Sequence, residues 1–163
     1  MSFAEQQQSD LSRKDILADL CAQFPDEVSG AVSTRPGRAW AEVSKEALHR
    51  VVEFLLGCDD KAYLSTITAV DAQEEFQVLY HFWAGGTEVT LRVKLDHNNP
   101  VVPTIMDLAP GANFYEREIH DLMGIEVTGR GELKRLIVTD DWPEGNHPLR
   151  KDWKGLPGGE DDG

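Results

Sequence analysis

The chain has 163 residues, enough for one domain with a tail, and its net charge of −13 comes from 16 Lys and Arg against 29 Asp and Glu. Such an acidic chain carries no basic stripe that would neutralise a run of phosphates, so nucleic acid is excluded as a partner. Hydrophobic residues make up 40%, which excludes wholesale disorder, and no apolar run approaches the about 20 residues of a membrane helix.

The polar residues 1–9 lack a basic segment followed by an apolar one, so they do not read as a secretory signal, and the cytoplasm is the default compartment. Asp10 or Ser12 is placed to cap a first helix carrying Leu11, Ile16, Leu17 and Leu20, which Phe24-Pro25 ends. After the turn at Arg35-Pro36-Gly37 a short strand is expected over Ala39–Val43. Ser44 then caps a second helix, whose Ala47, Leu48, Val51, Val52, Leu55 and Leu56 form a broad apolar face, with Gly57 at its exit. Cys21 and Cys58 stand far apart and supply no Cys-x-x-Cys pair for a cluster or a zinc ion; reduced, half-buried thiols are expected, with one disulfide as the alternative.

The middle reads as sheet. Tyr63–Val70, Phe76–Trp83 and Thr87–Leu95 are rich in β-branched and aromatic residues, and Gly85-Gly86 marks a hairpin between the last two. In the third run Val89, Leu91, Val93 and Leu95 alternate with Glu88, Thr90, Arg92 and Lys94, giving one wet face. Asp96-His97-Asn98-Asn99-Pro100 breaks that strand, and Val101–Ile105 leads into a highly charged helix over 114–123. Tyr115, Ile119, Leu122 and Met123 can face a core there, while Glu116 shares a face with His120 and Arg117 shares one with Asp121. Gly124 stands where a helix end favours a left-handed residue. Leu133–Val138 is expected as a last strand.

From Asp140 the texture changes to Pro and Gly, with isolated Trp142, Leu149, Trp153 and Leu156. That composition cannot build a core of its own. The two readings are anchors laid across a neighbouring protein and a tail folded back on its own domain. The end at 158–163 is expected to be disordered.

Glu116, Glu118, His120 and Asp121 form the one candidate acid–base or metal group. Glu116 and His120, with His81, His97 or His147 as third ligand, have the spacing to clamp an ion, as in a small metal-dependent hydrolase. Structural ion pairs are the plainer reading, and pairs such as Arg117 with Glu118 or Asp121 stabilise most when desolvated at an interface. Gly129-Arg130-Gly131 is a turn, not a phosphate loop. The basic group Arg130, Lys134, Arg135, Arg150, Lys151 and Lys154 would either receive an acidic partner or pair within the chain.

These residues carry a resemblance. Glu116-Arg117-Glu118, Asp121-Leu122-Met123, Lys134 and Leu136-Ile137 resemble the signature of the 30 kDa subunit family of respiratory complex I (the C subunit of NADH–quinone oxidoreductase). Asn99–Pro103, Pro110–Asn113, Asp140-Asp141-Trp142 and Pro148–Trp153 are similar too, so the likeness runs from about Tyr63 to Trp153. Arg130 departs from the family's usual His or Lys, and the N-terminal third does not align.

The resemblance implies an α+β fold, with N-terminal helices packed on a mixed or antiparallel sheet over residues 10–139 and an extended partner-binding tail over 140–163. It also implies a non-catalytic subunit of the peripheral arm of an ion-translocating oxidoreductase, on the cytoplasmic side of the membrane. Iron–sulfur clusters, and a nickel–iron centre or quinone site, would then belong to neighbouring subunits, with no cofactor held here. The partners implied are a 49 kDa-type or NiFe-hydrogenase-type large subunit and the iron–sulfur subunits. F420H2 dehydrogenase, membrane-bound hydrogenase and formate hydrogenlyase are the alternative complexes. The expected interface comprises Glu116, Arg117, Glu118, Asp121, Arg130, Lys134, Arg135 and Trp142, together with Pro148, Leu149, Arg150, Lys151, Asp152 and Trp153.

Overall fold

The computed structural model describes residues 15–156. Helix α1 spans Ile16–Gln23, and its cap is Asp15, whose Oδ1 accepts from the Ala18 N–H at 3.1 Å. The expected caps Asp10 and Ser12, like Leu11, lie outside the described residues. A hairpin follows, β1 (Val28–Arg35) and β2 (Arg38–Val43), where only the second strand was expected. The first half therefore runs helix–hairpin–helix. Helix α2, Leu48–Gly57, starts later than expected, because Ser44 opens a turn closed by the Ala47 N–H on its carbonyl. Leu48, Val51, Val52 and Leu55 are fully buried, and removing one such side chain typically costs about 2–5 kcal/mol.

Strands β3 (Tyr63–Asp71), β4 (Glu75–Ala84) and β5 (Thr87–Asp96) form where expected. Ala84 pairs with Thr87 across Gly85 and Gly86, both at positive φ, as a two-residue hairpin requires. The sheet order is β1-β2-β5-β4-β3, antiparallel throughout except for the parallel β2–β5 pair. The fold is α+β with a mixed five-stranded sheet.

Alternation sorts the two faces of the sheet. Ala39, Ala41, Val78, Tyr80, Phe82, Val89, Leu91 and Val93 point into the core. Helix α1 packs on β1 and β2, α2 reaches β4, and α3 (Ala112–Met123) lies against β3. The other face is polar, with Arg38 paired to Glu88, Glu42 shared by Arg92 and Lys94, and Arg92 over the Trp40 ring.

Two short strands, β6 (Val101–Pro103) and β7 (Glu126–Thr128), pair in parallel and bracket α3. Both were missed, being only three residues long. Leu133–Val138 is not a strand. Its backbone is held by side chains of α3 instead of by a ladder, as described next. Cys21 and Cys58 are half-buried thiols.

Candidate functional site

Helix α3 gathers most of the residues singled out in the sequence. Its hydrophobic side buries Ala112, Ile119 and Met123, and the Tyr115 hydroxyl donates to the Ser65 carbonyl of β3 at 3.0 Å. Its charges then divide by direction.

Glu116 points inward. It is 1% exposed and accepts from the Ile105 N–H at 2.9 Å, the Thr104 hydroxyl at 2.8 Å and Arg130 Nη1 at 2.7 Å. Arg130 also donates to Asn113 Oδ1 at 2.6 Å. The buried carboxylate, with a guanidinium and two further donors, is satisfied, while Arg130 Nε is buried with no hydrogen-bond partner among the described residues. The pair fastens the turn after β7 to both ends of the β6–α3 connection.

Asp121 is also buried, and its Oδ2 accepts from the Leu136 and Ile137 N–H groups at 2.7 and 2.8 Å. Arg117 binds the same segment from the other polarity. Its Nε and Nη2 each donate at 2.7 Å to the carbonyls of Lys134 and Arg135. Arg117 thus serves backbone oxygens, not Glu118 or Asp121. One turn of α3, with Arg117 and Asp121 four apart, substitutes for the neighbouring strand that residues 133–138 lack.

The end of α3 is capped by the tail. The last carbonyls of a helix have no partner within it. Here the Gly124 N–H donates to the His120 carbonyl, and His147 Nδ1 donates to that of Asp121 at 3.0 Å. The Leu149 N–H takes Leu122 at 3.0 Å, and Arg150 Nε takes Met123 at 2.7 Å. Arg150 also places a cation at the negative end of the helix and over the Phe76 ring. Asp71, 3% exposed, accepts from the Lys151 N–H at 2.8 Å and faces His97 at 3.5 Å. Burial works to raise the Asp71 pKa, but the Lys151 and Gln73 N–H bonds and His97 bring it below the usual carboxylate value.

The interface expected from sequence is therefore split. Glu116, Asp121 and Arg130 are turned into the chain's own interior, and Arg117, Arg135 and Arg150 are tied to its backbone. Glu116 and His120 do not assemble an ion clamp, since the Glu116 carboxylate holds the donors named above and His120 Nδ1 faces the Ile125 carbonyl at 3.0 Å. Among the described residues no group of three His, Cys, Asp or Glu converges on a metal position.

The tail folds back along its own domain through residues 147–151, yet keeps Leu149, 55% exposed, and Trp153, 38% exposed, outside. Leu136, Ile137 and Leu156 are exposed as well, as are the charged heads of Lys134, Lys151 and Asp152. Sequence reasoning missed the cradle for His147 at Gly124, Asp71 as receiver of the tail, and Leu136 and Ile137 as outward apolar groups.

The family model described as the 30 Kd subunit of respiratory-chain NADH dehydrogenase matches residues 41–157. The chain belongs to this family. The C subunit of the NADH-quinone oxidoreductase of Roseiflexus castenholzii is 37% identical, the match covering 87% of this chain and 84% of that one. The C subunit of the F(420)H(2) dehydrogenase of Methanosarcina mazei is 32% identical, over 90% and 95% of the two chains. Among solved structures, a chain of the membrane-bound sulfane sulfur reductase, an archaeal respiratory membrane complex, superposes with a TM-score of 0.73 at 25% identity, covering 87% of this chain and 85% of that one. In this member of the 30 Kd subunit family, no helix among the described residues is long and apolar enough to cross a membrane.

Proposed function

We propose that the chain is a non-catalytic structural subunit in the peripheral arm of a complex I-like membrane-bound oxidoreductase. It sits beside a large subunit of the 49 kDa or hydrogenase type and near the iron–sulfur subunits, on the cytoplasmic side of the membrane. It reaches the membrane only through those partners. The relatives named above, subunits of an NADH-quinone oxidoreductase and of an F(420)H(2) dehydrogenase and a chain of an archaeal respiratory membrane complex, support the class of assembly.

The observation that carries the scaffold role is the irregular segment 133–156. Its backbone is fastened by Arg117, Asp121, Asp71 and the end of α3, while Leu136, Ile137, Leu149, Trp153 and Leu156 remain outside. A chain that fixes the backbone of a loop-like segment and leaves its large apolar side chains in water presents a preorganised adhesive face.

Affinity purification of the tagged chain from detergent-extracted membranes tests the proposal. Co-elution with one large subunit in a stable assembly is expected. Recovery only as a free protein of 18.2 kDa would sink it. The partner's own sequence then separates the alternatives: paired nickel-ligating Cys-x-x-Cys motifs indicate a hydrogenase, and their absence a quinone or phenazine reductase.

A further inference from the structure

Between the C-terminal half of α3 and residues 132–147 lies a cavity of about 450 Å³, and two of its lining carboxylates are not used by the fold. Ligand clefts run from roughly 300 to 1,000 Å³, so a long side chain fits. One wall is Trp142, whose indole Nε1 donates to the Asn146 carbonyl at 2.9 Å, which fixes the ring. Asp121, Glu132 and Glu144 line the cavity against the single guanidinium of Arg135. Asp121 is satisfied by its two backbone donors, and Arg135 by the Thr139 and Asp140 carbonyls. Glu132 and Glu144 are exposed, and among the described residues neither carboxylate has a hydrogen bond or ion pair. His147, also on the wall, is pushed below the ordinary histidine pKa by burial and adds no positive charge near neutral pH.

We infer that this cavity seats a basic side chain, lysine or arginine, projecting from the large partner subunit. The inference rests on the subunit reading above. Two carboxylates unpaired among the described residues, beside an indole held by its own N–H bond, offer a cation charge pairing next to an aromatic wall. An acidic side chain would meet like charge from the same two groups. Leu133, Arg135 and Val138 on the cavity wall belong to the same segment that exposes Leu136 and Ile137. The partner element it fits is therefore a basic residue with apolar neighbours.

The test compares full-length wild type with Glu132→Gln/Glu144→Gln in detergent-extracted complex, washed across a salt series. Among the described residues neither has an internal partner to lose, so the free variant should melt with the wild type. Its affinity for the rest of the complex should fall about tenfold, and its release should occur at lower salt. Glu132→Lys/Glu144→Lys should not be retained. Zero-length carbodiimide coupling of Glu132 or Glu144 to a lysine of the large subunit would also support the seat. If wild type assembles and the glutamine variant shows the same salt profile, the cavity is not the seat, and the subunit reading survives. If wild type itself joins no large assembly, both fall.

Discussion

His147 occupies the volume that a side chain at Gly124 would need. Gly124 closes α3 at φ 69°, and a Cβ built there would lie 2.5 Å from His147 Cδ2 and 2.9 Å from Arg150 Nη2. Glycine thus meets two demands at once, a left-handed backbone and a seat for the tail. Gly124→Ala should destabilise the free chain by about 1–3 kcal/mol in urea unfolding. Gly124→Asn tolerates the backbone but not the crowding, so it should not rescue. In a His147→Ala background the alanine penalty should shrink. An unchanged penalty would mean that the tail does not depend on this space.

Arg130→Ala leaves Glu116 buried without its cation. The cost should be about 3–5 kcal/mol. In that background Glu116→Gln should be much less harmful than in the wild type, because it removes the uncompensated charge. A double-mutant cycle by chemical denaturation checks this, and additive losses would show that the two residues act separately.

Much of this architecture was legible in the sequence, and the exceptions share a physical cause. The apolar stripe of α2, the alternation in β5 and the Gly85-Gly86 turn are local signals, and all three appear in the fold. Strand β1 was missed because Ser29, Gly30, Ser33 and Thr34 are small or polar, and only Val28 of the strand is buried. Residues 133–138 read as a strand because Leu136, Ile137 and Val138 carry that propensity. Their backbone partners, however, are the side chains of Arg117 and Asp121, which no periodicity reveals. The same limit misdirected Glu116 and Asp121. A charged helix reads as solvent- or partner-facing until Arg130 and two backbone N–H groups, 14 to 16 residues away, are seen to meet it.

Arg117→Ala should loosen residues 133–138 without unfolding the domain. Charge-assisted hydrogen bonds contribute about 1.5–3 kcal/mol, so hydrogen exchange at the Leu136 and Ile137 amides should speed up while the core amides of β4 stay protected. Asp121→Ala should have the larger effect, since it strands both amides. Asp121→Asn keeps an acceptor and should be milder. Uniform acceleration across the sheet would indicate a global rather than a local role.

Stability should decline as the pH falls from about 7 to 5. His147 is held below the ordinary histidine pKa mainly by burial, with Arg150 and His120 adding and the Asp121 carbonyl opposing; His81 is lowered mainly by its own burial. The unfolded chain therefore binds these protons more readily. The contribution is complete above the free histidine value of about 6.5 and is lost as the pH drops through it. Asp71 and Glu42, held below their usual values, keep their contribution down to more acidic pH. Thermal melts across this range check the window, and His147→Gln should flatten the slope.

The scaffold role requires that the outward side chains of residues 133–156 meet a partner. Hydroxyl-radical footprinting of Leu136, Ile137, Leu149 and Trp153, compared between the free chain and the purified membrane complex, measures that directly. Strong protection of these four on assembly is the predicted result, with Val32 on the far edge strand β1 as the reference position. Equal labelling of Leu149 and Trp153 in the free and assembled states would contradict it.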